Sequence, residues 1–180
     1  MPANSKKTTS HDLSAIIEGL MKAEVKFILV GGLAAVVQGA PVTTMDVDIL
    51  HHRSSANVSK LCAFLKSIDA IHRRPDDKII APKEEDLSAK GHALFATRLG
   101  PLDVLAFIEQ GKTYEDLLEN TVKIEFRGHT LHVLSIRTMI ELKQDSKDPK
   151  DNLRIPVLEE TVRQLEASGI DANGAGRNHR

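Results

Sequence analysis

Asp46 and Asp48 stand two residues apart in Met45-Asp46-Val47-Asp48-Ile49-Leu50, where Val47 and Ile49 alternate with the two acids. In an extended strand that alternation sends both carboxylates out of one face, about 6–7 Å apart along the chain. A third acid, Asp103, opens a second apolar run, Leu102-Asp103-Val104-Leu105. A carboxylate in an apolar strand is costly to bury unless it is paired or holds a cation. Three of them form an oxygen-only donor set, which suits a hard divalent ion such as magnesium. Ahead of these acids, Phe27-Ile28-Leu29-Val30 runs into Gly31-Gly32. That is a strand-to-helix turn whose bare backbone amides favour an anion. Taken singly, a glycine pair is ordinarily a turn and an Asp-x-Asp a solvated strand face. Order and spacing strengthen the signal, since Gly32 precedes Asp46 by 14 residues and Asp103 follows Asp48 by 55.

The elements that must position these groups can be read from periodicity. Leu13, Ile16, Ile17, Leu20 and Met21 recur at helical spacing behind a cap at Ser10 or Asp12. Residues 33–38 form a helix leaving the glycine turn, ended by Gly39 and Pro41, and residues 45–50 a strand. Val58, Leu61, Cys62 and Leu65 line a helix capped by Ser54 or Ser55. Residues 72–91 are polar, hold two prolines, and read mostly as a loop: a lid or a specificity element or, alternatively, a solvated excursion with a short helix. Residues 93–97 and 102–108 read as strands hinged at Gly100-Pro101, and residues 114–118 as a short helix. Residues 122–126 and 130–134 flank Arg127-Gly128 as a hairpin. Ser135 caps a helix carrying Met139, Ile140 and Leu142, and Pro156 suits the first turn of a last helix through Leu165. The hairpin favours an α/β (α+β) fold with a mixed sheet flanked by helices over a purely parallel sheet. The expected division is a flexible N-terminus at 1–11, a single domain at 12–167 and a disordered tail at 168–180.

Composition narrows the function classes. The 180 residues carry 24 Lys and Arg against 25 Asp and Glu, a net charge of −1, which argues against a polyanion-binding field over the whole surface. Five Phe, one Tyr and no Trp leave few rings for base stacking, so discrimination among nucleobases is expected to be loose. The single cysteine, Cys62, cannot form an intramolecular disulfide, and no apolar run approaches a membrane span. These features point to a cytoplasmic protein without a membrane partner.

Val30-Gly31-Gly32, then Thr44-Met45-Asp46-Val47-Asp48-Ile49, then Asp103 in its strand resemble the nucleotidyltransferase superfamily that includes DNA polymerase beta. More closely, the chain resembles small bacterial nucleotidyltransferase-like proteins grouped near the AbiEii-type toxins. The similarity runs from about residue 27 to residue 158 and takes in Met139-Ile140-Glu141-Leu142-Lys143 and Lys150-Asp151. It implies a nucleotidyltransferase-type mixed sheet flanked by helices. It also implies magnesium-dependent transfer of a nucleoside monophosphate from an NTP to a hydroxyl acceptor, with release of pyrophosphate. Gly31 and Gly32 would hold the triphosphate, with Thr44 and Lys143 in the same nucleotide-binding set. Asp46 and Asp48 would bind two magnesium ions, and Asp103 would complete one metal site and help activate the attacking hydroxyl. The acceptor is open among small molecule, protein and RNA. Two other readings stand beside the enzyme: a non-catalytic nucleotide- or partner-binding module of the same fold, and the toxin half of a toxin–antitoxin pair acting on RNA.

The chain departs from the family at three places. Val42 stands where relatives often carry arginine, Gly32 where many carry serine, and Asp148 where a basic residue is frequent. Other reactive side chains are read as structural. His51 and His52 leave opposite faces of an extended chain, His129 and His132 lack a carboxylate or cysteine at ligand spacing, and Cys62 lies on an apolar helix face. Arg73-Arg74 reads as a solvated charge pair.

Overall fold

A computed structural model describes residues 10–76 and 78–173; residues 1–9 and 174–180, at the outer parts of the expected terminal segments, lie outside the described residues. Helix α1 (Leu13–Lys22) begins where Asp12 accepts from the Ala15 amide at 2.9 Å, and it buries Ile16, Ile17 and Leu20. Strand β1 (Phe27–Val30) is buried at all four positions, as a central strand of aromatic and aliphatic residues must be. It passes directly into α2 (Gly31–Val37). Strand β2 (Val47–His51) follows, then α3 (Ser55–Ser67) capped by Ser54, the short β3 (Ile71–His72) and α4 (Glu84–Ser88). Next come β4 (Ala93–Thr97) and β5 (Gly100–Leu105), with α5 (Tyr114–Leu117) leading to β6 (Thr121–Phe126) and β7 (His129–Leu134). Helices α6 (Ile136–Lys143) and α7 (Pro149–Ala167) close the chain.

The seven strands form one mixed sheet in the order β3-β4-β5-β2-β1-β7-β6. β2 pairs antiparallel with β1 and parallel with β5, and β1 pairs parallel with β7. The β6–β7 hairpin turns at Arg127 and Gly128, both with positive φ (47° and 81°), the conformation a two-residue hairpin favours. The mixed sheet with flanking helices is the architecture expected from the sequence.

Several boundaries differ for physical reasons. Asp46 precedes β2 rather than lying within it. β5 ends at Leu105, and the chain then turns through residues 106–108 toward a 3₁₀ turn at Glu109–Gly111. The last helix begins at Pro149, not at Pro156. Asp148 accepts from the Lys150 amide at 2.9 Å and Pro149 occupies the first turn, where a missing N–H costs nothing. Pro156 sits inside α7 on an exposed side, where water can serve the carbonyl its missing N–H leaves free. The 72–91 segment is less open than a free loop: Leu87 of α4 is buried, and its carbonyl meets His51 Nε2 at 2.8 Å. Beyond α7, residues 168–173 continue to Ala172, which is buried against the core.

Candidate active site

Sheet register brings the three acids together. Asp48 lies opposite Val30 across β1–β2 and opposite Asp103 across β2–β5. Along β5, half-buried Pro101, Asp103 and Leu105 alternate with buried Gly100, Leu102 and Val104. Asp103 therefore leaves the same sheet face as Asp48, while the neighbouring aliphatics fill the core. Thr44, before β2, turns Asp46 into the group by donating to its backbone oxygen and to its Oδ1, both at 3.3 Å. One carboxylate oxygen from each of Asp46, Asp48 and Asp103 lies within 4.8 Å of the other two. Among the described residues this is the only group of three or more His, Cys, Asp or Glu with such convergence.

The cluster carries excess negative charge. Burial, reinforced by the charges of Asp46 and Asp103, raises the Asp48 carboxyl from 3.8 to about 7. Burial also raises Asp103, against the opposing pull of Arg73, whose guanidinium donates to the Asp103 carboxylate. Asp48 and Asp103 stand side by side on neighbouring strands, so they titrate as a coupled pair, with Asp48 the one held far above the usual carboxylate range. Three half-buried carboxylates against one guanidinium, with oxygen-only donors, fit a hard divalent cation.

Gly31 has a second task, one that only the fold makes visible. Its φ is +69°, and a Cβ there would lie 2.1 Å from Asp48 Oδ2. Glycine is needed at this place both for the backbone and for the carboxylate it touches. At Gly32 a Cβ would come within 3.0 Å of the Thr44 side chain. A serine there would therefore press on the residue that orients Asp46.

A cleft of about 570 Å³ opens beside Asp48, Gly31 and Gly32 and runs between α6 and the turn after β5. Gln38 ties α2 to the junction of β7 and α6, donating to the carbonyls of Ala34 (2.8 Å) and Leu134 (2.9 Å) and accepting from the Ile136 amide at 3.2 Å. Lys143 lines the cleft, but its ammonium is engaged by Glu109 and Asp151, each at 2.8 Å. Burial alone would lower the Lys143 pKa; hydrogen bonds to the two carboxylates outweigh it and raise the value. Arg154 of α7 also lines the cleft and, among the described residues, makes no ion pair. Val42 packs against the core and borders a small void shared with Gly31, Lys143 and Arg154.

Of the expected site residues, Asp46, Asp48, Asp103, Gly31, Gly32 and Thr44 converge, and Lys143 faces the same cleft with its charge already satisfied. Sequence reasoning missed Arg154, Glu109 and the role of Arg73. Arg73 is not the solvated cation its local sequence suggests; it reaches Asp103 because its amide joins the sheet edge at the Leu94 carbonyl (2.8 Å), and Leu94 is the β4 partner of Asp103. Only the β4–β5 register carries that information. Arg74 does pair locally, with Asp76 at 2.9 Å. His52 meets Glu115 at 3.3 Å and His132 meets Thr121 at 3.1 Å, both away from the acids.

No family model matches the chain, and none of the curated proteins does. Its three-dimensional structure is similar to that of the lincosamide antibiotic adenylyltransferase LnuA with lincomycin bound. The TM-score is 0.55 at 14% identity, covering 82% of this chain and 94% of that one. ANT(2″)-Ia in complex with adenylyl-2″-tobramycin also matches, with a TM-score of 0.49 at 14% identity over 90% of this chain and 94% of that one. The likeness to LnuA establishes a nucleotidyltransferase fold, as the sequence resemblance implied. Among the described residues, no helix is long and apolar enough to cross a membrane.

Proposed function

We propose that this chain is a magnesium-dependent nucleotidyltransferase that moves a nucleoside monophosphate from an NTP to a hydroxyl acceptor and releases pyrophosphate. The observation that carries the reading is the convergence of Asp46, Asp48 and Asp103 within 4.8 Å beside Gly31. Asp46 and Asp48 would hold the metal, with Asp103 completing the set. A divalent cation bound there would supply the positive charge that offsets charge developing in an in-line displacement. Asp103 would take the proton of the acceptor hydroxyl, a reading supported by the Arg73 guanidinium that orients its carboxylate. Gly31 and Gly32 let the triphosphate approach the backbone without a side chain intervening. Arg154, which lines the cleft without an ion pair among the described residues, is assigned to its terminal phosphates, and Lys143 joins it once Glu109 is displaced.

A small-molecule acceptor is the favoured reading, in keeping with LnuA, an antibiotic adenylyltransferase. The AbiEii-type grouping, a toxin role and an RNA acceptor draw on sequence resemblance alone. The non-catalytic module keeps one supporting observation: Lys143 is neutralised by two carboxylates and offers phosphate no free charge.

The test is release of pyrophosphate from labelled NTPs with magnesium and a panel of hydroxyl compounds. Metal-dependent release that disappears in Asp48→Asn supports the enzyme. Nucleotide binding with no release across the panel favours the module, and undiminished release by Asp48→Asn overturns the assignment.

A further inference from the structure

Six aromatic residues are few, and their placement is uneven. Phe27, Phe64, Phe95 and Tyr114 are buried, and Phe126 is half-buried with Arg127 over its ring. Phe107, at 37% exposure, is the one exposed aromatic of the six. A lone exposed phenylalanine is ordinary on a protein surface. This one lines the cleft that holds Asp48, Gly31 and Arg154, and it is paired with a second exposed ring, His92. The two ring centroids are 4.8 Å apart at an interplanar angle of 46°.

Backbone register explains the pairing. Ala93 of β4 lies opposite Val104 of β5, so His92, one residue before Ala93, stands at the end of the sheet where the chain leaves β5 toward Phe107. Both rings thus border the turn that carries Glu109 and Gln110, across the cleft from α6. An extended ligand whose phosphates lie by Gly31 and Arg154 passes Asp48 and reaches these rings within a single cavity. Asp103 and Arg73, the acceptor side in the reading above, do not border this cavity.

We propose that Phe107 and His92 form the platform on which the nucleobase of the bound triphosphate stacks, with purines favoured because their larger ring covers more of the pair. The proposal rests on the nucleotidyltransferase reading and adds to it the substrate's base-recognition surface. It revises the expectation of loose base discrimination: the aromatic residues are scarce, but the one left exposed lines the proposed nucleotide cleft.

Calorimetry on the full chain with magnesium separates phosphate from base recognition through two probes, tripolyphosphate and a non-hydrolysable ATP analogue. The analogue is expected to bind about tenfold more tightly than tripolyphosphate, the increment one stacked base provides. Phe107→Ala should remove most of that increment and leave tripolyphosphate affinity unchanged, while Phe107→Trp preserves it. His92→Ala should show a smaller loss in the same direction. Because both rings are exposed, thermal melting of these variants should match the wild type. Tripolyphosphate binding with no additional affinity for the analogue overturns the platform and leaves the metal site intact. Equal loss of both probes in Phe107→Ala, or loss confined to acceptor KM, likewise overturns it. A wild-type chain that binds neither probe with magnesium overturns the nucleotidyltransferase reading and the platform with it.

Discussion

Two cavities of similar size open at opposite ends of β1. The one by Phe27 measures about 640 Å³ and is bordered by His52, His129, His132, Tyr114 and Glu115; the one by Val30 measures about 570 Å³. By residue type the first looks richer, with three imidazoles, a phenol and a carboxylate. Two of its imidazoles are already engaged, however. His52 is held by Ser54 at 2.9 Å and Glu115 at 3.3 Å and packs edge-on against Tyr114, while His132 is bonded to Thr121. At the other end three carboxylates converge with one guanidinium, which is bound to Asp103, and burial with the charges of Asp46 and Asp103 raises the Asp48 carboxyl. Reactive types in a cavity are a weaker pointer to a site than unbalanced charge converging on one point.

The contrast breaks most sharply by mutation. Asp48→Asn is expected to lower nucleotide transfer on the order of a thousandfold, the scale seen when electrostatic stabilisation of developing charge is lost. His132→Ala, in the other cavity, should change it less than about twofold. A steady-state assay of both variants decides the matter, and a large loss in His132→Ala would dissolve the distinction between the two ends.

Gly31→Ala comes next. The new methyl meets Asp48 Oδ2 and the residue must hold φ +69°, so a loss of about 1–3 kcal/mol in chemical denaturation is expected. Magnesium affinity should fall with it, because the displaced group is a proposed ligand. Gly128→Ala shares a positive φ but has nothing within 4 Å of its Cβ, so it should lose stability without touching metal affinity.

Titration offers a gentler probe. Asp48 keeps its proton to about pH 7 in the folded chain and loses it near 3.8 when unfolded. Between those values the folded state binds the extra proton, so this group's contribution to metal-free stability declines as pH rises from about 4 to about 7. Magnesium must displace that proton, so its affinity should increase up to about tenfold per pH unit toward pH 7 and then level off. Denaturation and calorimetry across this range check both slopes, and Asp48→Asn should flatten them.

The smallest effect concerns Lys143. Glu109→Gln removes one of its two carboxylate partners and should strengthen tripolyphosphate binding by about two- to fivefold, the scale of a partly exposed ion pair. Unchanged or weaker binding would place Lys143 outside the phosphate path.

Much of this molecule is legible in its amino-acid sequence. The alternation around Asp48 and Asp103, the Gly31-Gly32 break, the β6–β7 hairpin and the caps at Asp12, Ser54 and Ser135 are local, set by backbone sterics, pleat and capping within a few residues. The third acid could be nominated because an aspartate in an apolar strand requires a partner wherever it lies. Pro156 misleads because a helix-start signal is ambiguous when Pro149 and Asp148 provide another seven residues earlier.

What tertiary structure alone decided is who meets whom. Parallel pairing of β2 with β5 sets Asp48 against Asp103, and β4 brings Arg73 to the same carboxylate across 30 residues of chain. Folding also removed Lys143 from the free cations, added Arg154, and left a single phenylalanine exposed, inside the cleft. Propensity and periodicity act over one or two turns of chain, whereas charge balance and exposure depend on every neighbour in space. The sequence by itself determined which residues could do chemistry; the packing of sheet and helices determined which of them remain free to do it.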